Sequence, residues 1–257
     1  MFFFFHVFAG IVLALLLAQQ LHDSRIVLPC IIGAFLPDLI DKPLGYLLFA
    51  DSVGNGRILL HNLFLVLILL AIGCIAWKRM ARPEVFAFTV GLISHQILDL
   101  MWTVPENWLF PFYGPLTYKG GSDIAHDLLQ DEISLGSEWV VAIGILSAVL
   151  LLLITRHTGS TIPRHRPLVA GLLLAGTFMF VVLATGAFVA GICGTPFTAQ
   201  TVYTLFGWLE PAQSVAGGIV FFMAAYLLWS TRRRLLAAAP GQGCSDRTGL
   251  NCFQGLL

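Results

Sequence analysis

Charge is scarce in this chain. Of its 257 residues, 11% are charged, 58% are hydrophobic and the mean hydropathy is +0.86, whereas a soluble domain carries roughly 25% charged residues. An ordinary soluble domain is excluded, and the composition is that of a polytopic membrane protein. Lys+Arg and Asp+Glu balance at 14 each, and no single-sign run exceeds Arg232–Arg234. The balance gives no basic footprint for a nucleic-acid partner; the triplet reads as a membrane anchor. Cysteine supplies no framework, since Cys30, Cys74 and Cys193 lie in or beside apolar segments and Cys244 and Cys252 in a polar tail. There is no convincing internal repeat. The opening "MFFFFHVFAGIVLALLLAQQ" lacks the basic n-region of a signal peptide, so it is expected to stay as a span.

What the chain does have is long apolar runs. A helix crossing ~30 Å of hydrocarbon needs roughly 20 apolar residues, and stretches near 2–21, 57–77, 83–102, 167–192 and 213–231 qualify, with a slightly shorter one near 138–155. Ile26 to Ile40 is shorter still and carries Pro29 and Pro37, so it is expected to be a tilted, broken helix or a re-entrant piece. The expected fold is an all-α transmembrane bundle of about six to seven spans, one of them short and broken by prolines.

Orientation follows the placement of Lys and Arg. Lys78, Arg79 and Arg82, then Arg156, Arg164 and Arg166, then Arg232 to Arg234 mark cytoplasmic loops. The alternate loops hold Asp51, Glu106, Asp123, Asp127, Asp131, Glu132 and Glu210, with Lys42, Arg57 and Lys119 as their cations. If the 26–40 segment crosses, the N-terminus is outside, "HDSR" at 22–25 is a cytoplasmic turn and the C-terminus is inside. Residues 1–115 then form a membrane core, 116–137 an extracytoplasmic loop with a short helix begun by Ser122, 138–233 three further spans, and 234–257 a flexible cytoplasmic tail.

Six ionisable residues interrupt this apolar background. His6, His61, His95 and Asp99 sit among Leu, Ile, Phe and Val, and Asp38 and Asp41 leave the 26–40 segment between Pro37 and Pro43. Polar groups at such depth are costly and usually functional. Singly, each has a plain reading: an interfacial histidine, a helix-end carboxylate, a turn. His95 and Asp99, four apart, share one helix face and are harder to dismiss. At 1.5 Å per residue all six fall within about 10 Å of the outer ends of their segments, so four separate elements deliver them to one depth.

Three imidazoles and three carboxylates at one level suit a divalent transition metal, with zinc first and manganese or iron as alternatives. Six candidates imply two ions about 3.5–4 Å apart, or one ion with some of the groups behind its ligands. A cation would also hold Asp38 and Asp41 ionised against desolvation. Pro37 and Pro43 are expected to end the helix around the two carboxylates. Arg57 precedes His61 by four residues, on the same face if the segment is helical, and could grip an anionic substrate, pair with Asp51 or sit among headgroups.

Taken together, "HVFAG" at His6, "LPDLIDKPLG" at 36–45, "GRILLHNL" at 56–63, "SHQILDL" at 94–100 and "PENWLFPFYG" at 105–114 resemble the membrane-bound metal-dependent hydrolases of bacteria and archaea. The resemblance covers roughly the first 115 residues. It implies metal-binding and catalytic roles for His6, Asp38, Asp41, His61, His95 and Asp99, with Arg57 matching an arginine four before the central histidine. One departure is that Leu60 and Asn62 flank His61 where such proteins often carry Ser or Thr.

The first functional expectation is hydrolysis of a phosphoester or similar bond in a lipid-associated substrate at the outer face of the cell's inner membrane. Metal-activated water would attack, Asp41 or Asp99 would serve as general base, and Arg57 would meet the developing anion. A proton or divalent-cation transporter using intramembrane Asp and His is the alternative, and a metal-stabilised structural or partner-binding protein is the third reading. Asp123, His126, Asp127, Gln130 and Asp131 on the outer helix read as a solvated acidic face, with calcium binding or a lid as the sharper option. Trp102, Trp108, Phe110, Phe112 and Tyr113 read as an interfacial aromatic belt that could line the substrate path.

Overall fold

Backbone within hydrocarbon must satisfy its own hydrogen bonds, so apolar runs rich in Leu, Ala and Phe become helices. The computed structural model describes residues 3–116, 162–194 and 210–237, with positions 118, 126, 130 and 142 besides. Among the described residues the regular elements are all helical: α1 (Phe3–Leu21), α2 (Val27–Pro43), α3 (Leu63–Met80), α4 (Glu84–Leu98), α5 (Pro105–Trp108), α6 (Ile162–Cys193) and α7 (Pro211–Ala237). α1, α3, α7 and residues Pro167–Cys193 of α6 are long and apolar enough to cross a bilayer. α2 and α4 have 17 and 15 residues and so reach about 25 and 22 Å. The chain is the expected all-α membrane bundle. Apart from positions 126, 130 and 142, which are helical, the span expected near 138–155 and the helix expected after Ser122 lie outside the described residues.

α2 runs between α1 and α4, α4 also meets α3, and α7 packs along α6 while touching α1 and α4. Small residues set the closest crossing. A Cβ on Gly33 would fall 2.0 Å from the Phe88 carbonyl oxygen, and one on Gly91 would fall 2.0 Å from that of Cys30. Backbone therefore meets backbone between α2 and α4, as small residues permit inside membranes. An apolar layer of Phe5, Ala9, Leu98, Ala184, Ala187, Val220 and Phe221 joins α1 and α4 to α6 and α7.

The two short turns are tied together at one end of the bundle. Asp23 accepts from the Arg25 amide at 3.0 Å and from its guanidinium at 2.7 Å, and the same Arg25 donates to the Ala81 carbonyl at 3.3 Å and lies 3.8 Å from Glu84. The Arg25 hydrogen bonds hold the Asp23 carboxyl below its usual range. His6, Asp38, Asp41 and Asp99 sit at the helix ends remote from these turns, and so gather at the opposite end of the bundle.

Three expectations need correction. α2 is unbroken: Pro29 lies in its first turn, where amides have no intrahelical acceptor, Pro37 lies inside it, and Pro43, with helical φ −62°, ψ −39°, is followed by a π-helical turn over Leu44–Leu48. A proline ring holds a helical φ, and loss of a single amide is tolerated where neighbouring helices pack closely. The third span begins at Leu63, not near 57. Asn62 caps it, accepting from the Phe64 and Leu65 amides at 2.9 and 3.3 Å. Residues 57–62 are therefore outside any helix, and Arg57 and His61 do not share a helical face. The fourth span stops at Leu98, because Leu100 takes a left-handed conformation with φ 51° and turns the chain.

Candidate metal centre

Asp41 organises the site by folding a loop onto itself. Its Oδ2 accepts the amides of Ile58, Leu59 and Leu60 at 3.0–3.1 Å and that of His61 at 3.3 Å. Four consecutive N–H groups converging on one carboxylate oxygen form an anion nest, which satisfies the amides of this non-helical backbone. The same oxygen accepts His61 Nδ1 at 2.8 Å. Loop and imidazole are thus set by a single atom on the last turn of α2.

Hydrogen bonding fixes the tautomers of the two inner histidines. A carbonyl can only accept, so His95 Nδ1 donates to the Ala34 carbonyl at 2.8 Å. His61 Nδ1 likewise donates to the Asp41 carboxylate. Each neutral ring must then present an Nε2 lone pair, and the two Nε2 atoms lie 3.1 Å apart. Asp38 Oδ1 stands 3.9 and 3.8 Å from the Nε2 atoms of His61 and His95, and Asp99 Oδ2 stands 3.7 and 3.9 Å from the same pair. Two lone pairs and two carboxylate oxygens thus point into one small volume. They repel each other unless a cation or protons lie between them.

The spacing fits an ion. Metal–ligand bonds of about 2.0–2.2 Å in a tetrahedron place ligand atoms about 3.3–3.6 Å from one another, inside the range observed. Ligand atoms of Asp38, His61, His95 and Asp99 all lie within 4.8 Å of one another, and all four residues are buried. The donor set of two imidazoles and two carboxylates, without thiolate, suits zinc, manganese or iron. The Nδ1 bonds to a carboxylate and a carbonyl are the usual support behind metal-bound histidine.

Of the six residues singled out in the sequence, four converge and two stand behind them. His6 Nε2 donates to Asp99 Oδ1 at 3.0 Å, with its ring 4.0 Å from that of His95, so it bears on a ligand instead of joining the cluster. Asp41 lies behind His61 in the same way. His6 Nδ1 and Asp41 Oδ1 are buried and have no hydrogen-bond partner among the described residues. Arg57 Nη2 reaches Asp99 Oδ2 at 3.0 Å. Asp38 Oδ2 pairs with Lys42 Nζ at 3.0 Å, four residues along α2.

Several buried amides escaped the sequence reading. Asn55 Oδ1 accepts the Arg57 amide at 2.9 Å, and Asn107 Nδ2 donates to the Arg57 carbonyl at 2.9 Å, so Arg57 is held on both sides. Gln96 donates to the Leu60 carbonyl at 3.0 Å while accepting from Trp108 Nε1 at 2.8 Å. Asn62 donates to the Phe110 carbonyl. The 105–112 stretch is thus a strap over the His61 loop, whereas Trp102, Phe112 and Tyr113 remain exposed as a belt would be. The available signal was four amides, Asn55, Asn62, Gln96 and Asn107, and a proline-started turn within an aromatic run. An apolar cavity of about 180 Å³ lies between α3 and α4, lined by Leu63, Leu67, Ile93, Ile97, Trp102 and Trp108. Of the outer acidic group, Asp123, Asp127 and Asp131 fall outside the described residues.

A family model described as YdjM inner membrane protein matches residues 1–237. No curated protein and no solved structure matches the chain.

Proposed function

The chain belongs to the YdjM inner membrane protein family, and from that premise and the geometry above we propose that it is a metal-dependent hydrolase acting on a phosphoester or similar bond of a lipid-associated substrate. It is a multi-pass inner-membrane protein; in the proposed orientation the N-terminus and the cluster face outward and the C-terminus is cytoplasmic. The observation that carries the reading is the pair of Nδ1-protonated imidazoles aiming Nε2 lone pairs at one point between two buried carboxylates.

His61, His95, Asp38 and Asp99 would hold a single divalent ion, zinc in preference to manganese or iron. A bound ion of this kind lowers the pKa of water towards neutrality and stabilises a developing oxyanion. Water would enter the ion's coordination in place of Asp99 Oδ2, and Asp99 would then take that water's proton. Arg57, with its guanidinium already 3.0 Å from that carboxylate, is placed to meet the anion that develops. Asp41, which accepts five donors through one oxygen, positions His61 and the loop. His6 orients Asp99.

The transport reading needs a relay of ionisable groups through the bundle. Among the described residues the buried polar groups nearer the other end of the bundle are Thr89 and Gln19, neither of which titrates, and Thr89 is bonded within its own helix at 2.8 Å. Ionisable groups confined to one end of the bundle favour an enzyme over a through-path.

The deciding experiment is metal content by mass spectrometry on purified wild type, His61→Ala and Asp99→Ala, followed by release of phosphate from phosphorylated lipids. One equivalent of transition metal in wild type, lost from both variants together with hydrolysis, is the expected result. Wild type that holds no metal and regains none on adding zinc, manganese or iron overturns the proposal.

A further inference from the structure

Among the described residues, two partly exposed cations stand at the edge of the buried cluster. His61 and His95 are fully buried and the Asp38 and Asp99 side chains are 3–4% exposed, whereas Lys42 and Arg57 are 36% and 27% exposed. Each cation grips a different cluster carboxylate at 3.0 Å, Lys42 on Asp38 and Arg57 on Asp99. A ligand that approaches either carboxylate from that edge therefore meets a cation.

Charge bookkeeping says what that ligand is. With the histidines neutral, the carboxylates of Asp38, Asp41 and Asp99 against Lys42 and Arg57 leave these side chains with one excess negative charge. A dication reverses it to one excess positive charge. Positive charge in a low-dielectric site is costly without a counter-anion, so a loaded site favours an anionic ligand over a neutral one. Arg57 presents a planar fork suited to two phosphate oxygens, and Lys42 a point charge for a third. The rim is also preorganised. Lys42 follows Asp41 on the last turn of α2, and the Arg57 backbone is clamped by Asn55 and Asn107.

We infer that Lys42 and Arg57 together bind the phosphate group of the substrate beside the four-ligand cluster, which makes the substrate class a phosphate ester and not a carboxylic ester or an amide. The inference rests on the hydrolase reading and adds Lys42 as the residue that, with Arg57, selects it. The phosphate is carried on a lipid, because the rim belongs to a helical end of a membrane bundle.

The test titrates full-length protein in detergent, first with zinc and then, zinc-loaded, with inorganic phosphate and with dodecyl phosphate, comparing wild type with Lys42→Gln and Lys42→Arg. Removing a cation 3.0 Å from a ligand carboxylate relieves its repulsion of the metal, so Lys42→Gln is expected to keep or tighten zinc binding. The same variant is expected to weaken phosphate binding at least tenfold, with Lys42→Arg restoring most of it. A purely structural lysine gives the opposite pattern, with weaker zinc and unchanged phosphate affinity, and that outcome overturns the inference. Zinc-loaded wild type that binds neither phosphate also overturns it while leaving the metal site standing. Absence of zinc binding in wild type removes the hydrolase reading itself. Tighter binding of dodecyl phosphate than of inorganic phosphate supports the lipid source, and equal binding overturns that part.

Discussion

His61 Nε2 and His95 Nε2 lie 3.1 Å apart, each on a ring whose other nitrogen is committed to a buried acceptor. Neither ring can turn to relieve the contact without abandoning the Asp41 carboxylate or the Ala34 carbonyl. A cation between them removes the repulsion, so ion binding and stability are linked. Zinc at 100 times its Kd is expected to stabilise the wild type by about 2.7 kcal/mol. A thermal melt in detergent with and without chelator checks this, and His95→Ala should lose the zinc-dependent rise in Tm.

Asp41→Asn keeps the shape but removes the charge that faces four amides and an imidazole. Hydrogen bonds to charged groups contribute about 1.5–3 kcal/mol each, and a lost partner behind a metal-bound histidine costs about 10–100-fold in affinity. The expected variant is destabilised by a few kcal/mol and binds zinc at least tenfold more weakly. Competition against a chromogenic chelator gives the affinity.

The α2–α4 crossing admits no extra carbon. Gly33→Ala and Gly91→Ala each place a Cβ about 2.0 Å from a backbone oxygen, and separating the helices moves Asp38 from His95. Overpacking of this kind costs about 1–3 kcal/mol or more, and zinc binding should fall with it. Gly171→Ala and Gly186→Ala, which meet nothing within 4 Å among the described residues, serve as helix-glycine controls and should hold or slightly raise melting while leaving zinc binding unchanged.

Asn107→Ala leaves the Arg57 carbonyl without its donor. A cost of about 1–3 kcal/mol is expected for the unsatisfied buried group. Because Asn107 makes no hydrogen bond to a cluster side chain among the described residues, metal stoichiometry should stay at the wild-type value while hydrolysis falls through Arg57. Metal analysis and phosphate release on one preparation separate the two.

At the other end of the bundle, the Asp23 carboxyl is depressed by its hydrogen bonds to Arg25. A depressed carboxyl stabilises the fold above the unfolded pKa of about 3.9, and that contribution fades as pH falls through the lower folded value. The pair is solvent-facing, so Asp23→Asn should cost no more than about 1 kcal/mol at neutral pH. The difference from wild type should vanish in melts taken below the folded value.

The membrane class and the residues of the cluster were legible because each is an ionisable side chain in an apolar run, where burial demands a partner. His6 and Asp99 could be found this way although 93 residues separate them. The backbone around them was less legible. Apolar residues fill 57–77 so uniformly that helical periodicity has no contrast, and the start of α3 is set by Asn62 as a cap and by Asp41 drawing four amides away from helical acceptors. The prolines of α2 suggested breaks because local propensity disfavours them, yet packing against α1 and α4 overrides that preference. Gln96 and Asn107 went unremarked since an amide, unlike a carboxylate, is not conspicuous by charge.

The long reach between His6 and Asp99 also sets a schedule for assembly. α1 enters the membrane carrying a histidine whose acceptor is 93 residues away. At about 5–20 residues per second, translation needs about 5–20 s to make that carboxylate. For that interval His6 faces lipid or the insertion machinery alone. A metal held by this cluster could be captured only after the fourth helix is in place, so loading would report that insertion of the first four helices has succeeded.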